Sequence, residues 1–239
     1  MPDQFSRTKL LIGEEGIRRL KDSSVLLFGL GGVGGACLIS LARAGIGKLT
    51  IVDCDTVSPS NINRQYLADY STLGRKKCEV GAETVKQINP ECEVTPLDLF
   101  YLPGEENPID FSSFDYVIDA IDTLKAKVGI VRECYEKGVP VISALGCGNR
   151  LDPSKLRVGD IYETSYDPLA RNLRKQLRAL GIPSLKCVYS TEIPQKVQSA
   201  EETPVNGKKA VPGSSPFVPP AAGILLAYAA VSDLLKKKD

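Results

Sequence analysis

The sequence predicts an α/β protein with a Rossmann-like, mainly parallel sheet covered by helices on both faces. A smaller C-terminal part with strands and a basic helix extends it. Three observations predict this. Residues 25–55 read as buried strand, glycine turn, helix and second strand, the order of a βαβ nucleotide-binding unit. Short apolar runs then alternate with helix-length runs through residue 143, which calls for right-handed crossovers and a parallel sheet. Glycines and charged residues recur at the carboxyl ends of these strands, where ligands of such folds bind.

Residues 1–24 form a helical arm in which Leu10, Leu11, Ile17 and Leu20 can pack while Arg7, Lys9, Arg18 and Arg19 face outward. The strand at 25–28 feeds Gly29, Gly31, Gly32 and Gly34, whose backbone can approach a phosphate at the start of the next helix. The second strand ends at Asp53, an acid placed to take ribose hydroxyls, followed by Asp55. A polar loop over 56–74 holds Ser60, Asn61, Asn63, Arg64 and Gln65. Residues 76–88 read as a helix ending before Asn89-Pro90, and 93–99 as a third strand. A Pro/Gly-broken loop (101–113) leads to a strand at 114–119 with Asp119 and Asp122 at its end, a helix at 124–137 and a strand at 139–143.

From residue 151 the alternation weakens. Residues 156–162 read as a strand, and Asp167-Pro168 as the cap and first turn of a helix. That helix carries Leu169, Leu173, Leu177 and Leu180 on one stripe. Arg171, Arg174 and Arg178 share another face with Lys175 beside them, and Gly181 and Pro183 end the helix. The basic face reads either as a solvated surface or as a contact for nucleic-acid phosphates. Residues 187–191 form a short strand, 194–216 a mobile loop, and 220–235 a final helix. Pro219 and Pro220 shorten that helix to roughly sixteen residues, below a ~30 Å hydrocarbon core, so it reads as buried and not as a membrane span.

Composition narrows the chemistry. The 239 residues are 43% hydrophobic and 25% charged with net charge +1, so any nucleic-acid contact must come from a local patch. Seven cysteines without framework spacing point to reduced thiols in a cytoplasmic setting, and the N-terminus lacks a signal-peptide core. There is no histidine and no CxxC, which excludes Ser/His and Cys/His catalysis and the usual zinc sites. A hydride-transfer pocket would not need Arg64, Lys77 and Asp122 at its rim. A triphosphate needs cations near its oxygens and a carboxylate for Mg²⁺.

The runs GLGGVG, DCDTVSPSNINRQ, GRKK and VIDAIDT closely resemble the ThiF/MoeB group of the ubiquitin-activating-enzyme superfamily, over roughly residues 5–150. The resemblance implies an ATP-dependent carboxylate-adenylating enzyme with its ATP-binding domain at 25–150. Residues 151–239 would complete the same domain. It implies that Gly29, Gly31, Gly32 and Gly34 form the phosphate-side turn and that Asp53 holds the ribose, with Asp55 beside it. Asn61, Arg64 and Lys77 would grip the phosphates, and Asp122 would hold Mg²⁺. Phe5-Ser6-Arg7 resembles the arm from which a partner subunit supplies an arginine, which implies a homodimer with shared sites and a catalytic role for Arg7.

The second half, RLDPSKLRVGDIYETSYDPLARNLRKQLRALG with CVYSTE and GSSPFVPPAAG, is similar to the bacterial tRNA threonylcarbamoyladenosine dehydratases. This implies ATP-dependent cyclisation of a modified adenosine beside the tRNA anticodon, through an acyl-adenylate of the threonyl carboxylate. Intramolecular displacement of AMP needs no histidine base and no covalent cysteine. The basic helix, Arg171, Arg174, Lys175 and Arg178, then becomes a candidate tRNA contact. Gly146-Cys147-Gly148-Asn149 reads as an acyl pocket or as a simple turn, and Cys187 as a buried thiol. The alternative is adenylation of a sulfur-carrier protein, which the missing CxxC pairs disfavour. A cysteine desulfurase or other sulfur-transfer partner is compatible with the resemblance, although no residue points to one.

Overall fold

The computed structural model describes residues 3–105, 109–196 and 212–236. Its strands are β1 (Ser24–Phe28), β2 (Lys48–Val52), β3 (Glu93–Leu97), β4 (Tyr116–Asp119), β5 (Val141–Ala144), β6 (Leu156–Asp160) and β7 (Lys186–Ser190). They form one sheet in the order β3-β2-β1-β4-β5-β7-β6. All pairings are parallel except that of β6 with β7. Phe28 lies opposite both Val52 and Asp119, so β1, β2 and β4 end level with one another. That register brings Gly29, Asp53 and Ala120 to one rim, with Gly29 N–H on Val52 O and Ala120 N–H on Phe28 O, both at 2.8 Å.

The helices are α1 (Ser6–Asp22), α2 (Gly32–Ala44), α3 (Lys77–Ile88), α4 (Leu124–Lys137), α5 (Pro168–Ala179) and α6 (Val218–Lys236). Because side chains alternate along a strand, β1 feeds two cores. Val25 and Leu27 join Leu38, Leu41 and Leu226 on the α2/α6 side, whereas Leu26 and Phe28 join Val117, Ile130 and Phe111 on the α4 side. A third cluster packs Leu173 and Leu177 of α5 on Leu145, Ile161 and Cys187. Burial on both faces explains why β1 and β4 read as unbroken apolar runs.

Several sequence expectations are corrected. Leu10 and Leu11 do not pack within the chain, each being 86% exposed. Gly13, at φ = 73°, breaks α1 into two helices joined at a kink. Leu180 is not on the buried stripe of α5, because the helix ends at Ala179 and Leu180 is its exposed cap. Pro219 and Pro220 do not delay the final helix but sit in its first turn, where a missing N–H costs nothing. At 19 residues α6 is, contrary to expectation, long and apolar enough to cross a bilayer by length and composition. More than half of that helix is instead buried in the protein, where it packs on α2. Most of the expected 194–216 loop lies outside the described residues.

The α2–α6 contact is backbone on backbone. A Cβ on Gly223 would fall 2.1 Å from Val33 O and 2.9 Å from Cys37 N, so only glycine lets the axes approach this closely. Gly223→Val is expected to lower unfolding stability by about 1–3 kcal/mol through overpacking, with Gly223→Ala between it and wild type. Denaturant unfolding of the two variants checks this.

Candidate functional site

A cleft of about 590 Å³ opens along the carboxyl edge of β1, β2, β4 and β5, within the usual range for a small-molecule site. Its floor is the turn after β1. Gly29 has φ = 85°, and a Cβ there would meet Ala120 O at 2.8 Å. A Cβ on Gly34 would fall 1.7 Å from Gly29 O, so the turn closes on itself only without side chains. Gly31 has open space toward the cleft, its nearest neighbour being Gln65 Nε2 at 4.0 Å. Gly32 and Val33, in the first turn of α2, line the cleft, so the helix presents its leading N–H groups to an anion there.

Asp53, just past β2, accepts Leu30 N–H at 2.6 Å on one oxygen and Asp55 N–H at 2.8 Å on the other. Each oxygen keeps a lone pair for a ligand hydroxyl. Burial holds this carboxyl above the usual carboxylate range, opposed by the Lys77 ammonium and the two backbone N–H groups. The following loop folds into a 3-10 turn at Pro59–Asn61, in which Asn61 Oδ1 accepts Ser58 N–H at 3.1 Å. That turn brings Asn61, Arg64 and Gln65 to the cleft wall. Arg64 donates to Ser60 O at 2.9 Å and to Asn63 Oδ1 at 2.8 Å. Lys77 opens α3, is 6% exposed, and pairs with the 65% exposed Asp55 at 2.8 Å. The cation is thus held at the cleft by a carboxylate that is itself largely exposed to water.

The opposite wall follows β4. Asp119 is fully buried and bonds Lys127 Nζ and Ser143 Oγ, both at 2.7 Å, and Ile121 N–H at 3.2 Å. Neither partner of the Asp119–Lys127 pair has side-chain exposure, and its bonds shape the turn that carries Asp122 to the rim. Asp122 is exposed, lines the cleft and makes no ion pair among the described residues. No cluster of three metal-ligating side chains occurs among the described residues. One rim carboxylate beside a phosphate site is nevertheless how Mg²⁺ is often held, with phosphate oxygens and waters supplying the remaining ligands.

Sequence reasoning missed one end of the cleft and named only part of the other. Leu99, Phe100, Tyr101, Ile121 and Ala126 make one end apolar. Their signal was position alone, since residues 99–101 follow the carboxyl end of β3. The other end is Leu145–Gly148 with Leu169, Pro212 and Ser214. Gly146-Cys147-Gly148-Asn149 is a turn, as the residues suggested, and its first three members also line the cleft. Lys127 had been indistinguishable from a surface lysine, because only the fold shows that its helix face is covered.

The structure therefore brings together Gly29, Gly31, Gly32, Asp53, Asp55, Asn61, Arg64, Lys77 and Asp122, with Gly34 beneath them. It does not bring Arg7, Arg171, Arg174, Lys175 or Arg178 to the cleft of their own chain. Arg171 and Lys175 are exposed on α5. Arg178 lies 5.0 Å over the Tyr162 ring. Arg174 is turned inward, bonding Thr164 Oγ1 and Thr164 O, so the expectation of a solvent-facing Arg174 is corrected. All seven cysteines are free. Cys54 and Cys147 line the cleft, but desolvation raises both thiols, Cys147 to about 12, and burial likewise raises Cys187. None is set up as a thiolate nucleophile.

Comparison with known proteins agrees with this geometry. The ThiF family model matches residues 5–180. The tRNA threonylcarbamoyladenosine dehydratase of Bacillus subtilis is 39% identical, over 99% of this chain and 96% of its own. The crystal structure of the Escherichia coli tRNA N6-threonylcarbamoyladenosine dehydratase in complex with AMP superposes with a TM-score of 0.86 at 32% identity, covering 98% of this chain and 94% of that one. The complex of the same E. coli enzyme with ATP gives a TM-score of 0.85.

The raised Asp53 carboxyl has a pH consequence. Protonation takes one acceptor oxygen from this carboxyl, so binding of a ligand hydroxyl there should weaken as pH falls toward the ordinary aspartate value, starting above it. In the apo protein the sign is opposite: Asp53's contribution to stability declines as pH rises from the unfolded value through the raised folded one. Asp53→Asn should bind ATP weakly and with a flatter profile, as titration calorimetry across that range would show.

Proposed function

The chain belongs to the ThiF family, among its tRNA threonylcarbamoyladenosine dehydratases, and we propose how its cleft performs that ATP-dependent reaction. The observation that carries the proposal is the convergence of the glycine turn, Asp53, Arg64, Lys77 and Asp122 on one cleft that runs from Leu99–Tyr101 to Gly146–Gly148.

The adenine occupies the apolar end at Leu99–Tyr101 and the ribose hydroxyls bond Asp53. The phosphates lie over Gly31 and Gly32, gripped by Asn61, Arg64 and Lys77. As they arrive, Lys77 exchanges part of its pairing with Asp55 for phosphate oxygen. Asp122 would hold Mg²⁺, whose chemistry there would be to neutralise phosphate charge. The threonyl carboxylate enters at the Gly146–Gly148 end and attacks the α-phosphorus, releasing pyrophosphate. The neighbouring urea group then displaces AMP intramolecularly. Arg64 and Lys77 stabilise the charge that builds at the α-phosphate, and proximity supplies much of the second step. The absence of histidine and of an activated thiol suits this sequence of events and weighs against sulfur-carrier activation or a sulfur-transfer partner.

Two further parts of the reading concern partners. The exposed Leu10 and Leu11 on α1 fit a covered position in a homodimer, in which Arg7 reaches the partner's nucleotide. The tRNA lies along α5, contacted by Arg171, Lys175 and Arg178, with Arg174 holding the helix in place. A tRNA substrate agrees with the cytoplasmic setting expected from the reduced thiols.

Pyrophosphate release in the presence of ATP and Mg²⁺ tests the reaction, using tRNA with and without the threonylcarbamoyl group. Release only with the modified tRNA, with a water-sized mass loss on the nucleoside, is expected. Silence with both tRNAs refutes it. Asp122→Ala should lower turnover by about 10²-fold or more with an unchanged unfolding curve. Replacing Arg171, Lys175 and Arg178 together by Ala should weaken tRNA binding and reduce the slope of log K against log salt by about two to three. Filter binding at several salt concentrations reads this slope.

A further inference from the structure

Arg150 is the one arginine in the buried set, 3% exposed, and it makes no ion pair among the described residues. Its guanidinium instead spans three backbone carbonyls. It donates to Gly146 O, to Tyr166 O at 3.3 Å and to Glu192 O at 3.3 Å. The Glu192 carboxylate in turn accepts Leu151 N–H at 3.1 Å and Asp152 N–H at 3.0 Å. Three chain segments therefore meet at one cation: the loop after β5, the approach to α5 and the exit from β7.

Two independent observations mark this knot. The non-glycine residues with positive φ among those described are Asn149, at 59°, and Tyr166, at 56°. Both belong to it, and such strain persists only where the surroundings impose it. Gly146, meanwhile, is held from both sides. Its N–H donates to Asp167 Oδ2 at 2.7 Å while its carbonyl accepts from Arg150. The other Asp167 oxygen caps α5 through Leu169 N–H at 2.8 Å and Ala170 N–H at 3.1 Å. Arg150, Tyr166, Asp167 and Gly146 thus close a ring that fixes Gly146–Gly148 as a cleft wall. By sheet order this wall is at the far end from Leu99–Tyr101, beyond the phosphate site.

We propose that Arg150 is a positioning residue for the acyl end of the cleft, holding the wall against which the activated carboxyl meets its internal nucleophile, so that ring closure outruns hydrolysis. The inference rests on the dehydratase reading and adds the residue that decides the fate of the activated carboxyl. In the first step a carboxylate oxygen bonds the α-phosphorus as the bond to pyrophosphate breaks. In ring closure the urea group bonds the acyl carbon, AMP leaves with the former carboxylate oxygen, and the urea proton passes to solvent. Attack by water at the same carbon yields AMP and the original carboxylate, consuming ATP without product. A fixed wall favours the first outcome by orienting the chain end and excluding water.

The test measures AMP and cyclised nucleoside together, with ATP, Mg²⁺ and threonylcarbamoyl-modified tRNA. Wild type should give the two in near-equal amounts. Arg150→Met should raise the ratio of AMP to cyclised nucleoside about threefold or more, with the KM for ATP within about twofold of wild type. Arg150→Lys, which keeps the charge but not the three-way span, should lie between. Gly146→Ala presses on the same wall without touching Arg150, since its Cβ would approach Asp167 Oδ2 to 3.1 Å, and should also raise the ratio. It decides the matter if Arg150→Met does not fold. A merely structural role would slow both products equally, so an unchanged ratio in these variants overturns the proposal. No cyclised nucleoside from wild type would overturn the underlying reading instead.

Discussion

The architecture depends on backbone packed against backbone around the glycine turn. Gly34 closes on Gly29 O, Gly29 approaches Ala120, and α6 lies on α2 at Gly223 against Val33 O. Each approach is shorter than any side chain permits, so the rim of three strands, the start of α2 and the start of α6 form one rigid body. Pro219 of α6 packs 3.0 Å from where a Cβ on Gly32 would be, so the final helix buttresses the turn directly. A phosphate site needs this rigidity, because N–H groups aimed in advance need not reorganise when charge arrives.

Charged side chains then set what stands on that base, and each is bonded to backbone. Asp53 holds Leu30 and Asp55, Asp119 holds Ile121, Asp167 holds Gly146 and the first turn of α5, and Arg150 holds three carbonyls. The rim is thereby a series of loops each pinned by one ion. The buried Asp119–Lys127 pair is the extreme case. Removing either member would strand a charge in an apolar core, a change that typically costs about 3–5 kcal/mol. The groups proposed to meet ligand are held differently: Arg64 bonds Ser60 O and Asn63 Oδ1, Lys77 pairs with the exposed Asp55, and Asp122 makes no ion pair among the described residues.

Much of the site was legible in the sequence because it is local. Gly29 to Gly34, Asp53 and Asp55 sit at fixed offsets within one βαβ unit, and Asn61, Arg64 and Lys77 follow in one loop and the next helix start. Asp122 was legible because the end of a parallel strand is a predictable place. Leu10, Leu11 and Leu180 were misread because periodicity shows that residues share a face but not whether anything covers it. Arg174 was misread for the converse reason, its acceptors at Thr164 being contributed by a turn whose path the sequence does not specify.

By itself, then, the sequence determined the fold class, the glycine turn after β1, the carboxylates of the rim and the family resemblance. These depend on strand period, turn chemistry and short spacings, all encoded within a few tens of residues. Only the tertiary structure decided that Lys127 is a buried counter-ion, that residues 99–101 and 146–148 are the two ends of one cleft, and that Arg150 ties three distant segments together. Those roles depend on which elements become neighbours in the sheet. A lysine, an arginine or a glycine acquires its function there from partners that lie from 4 to 42 residues away.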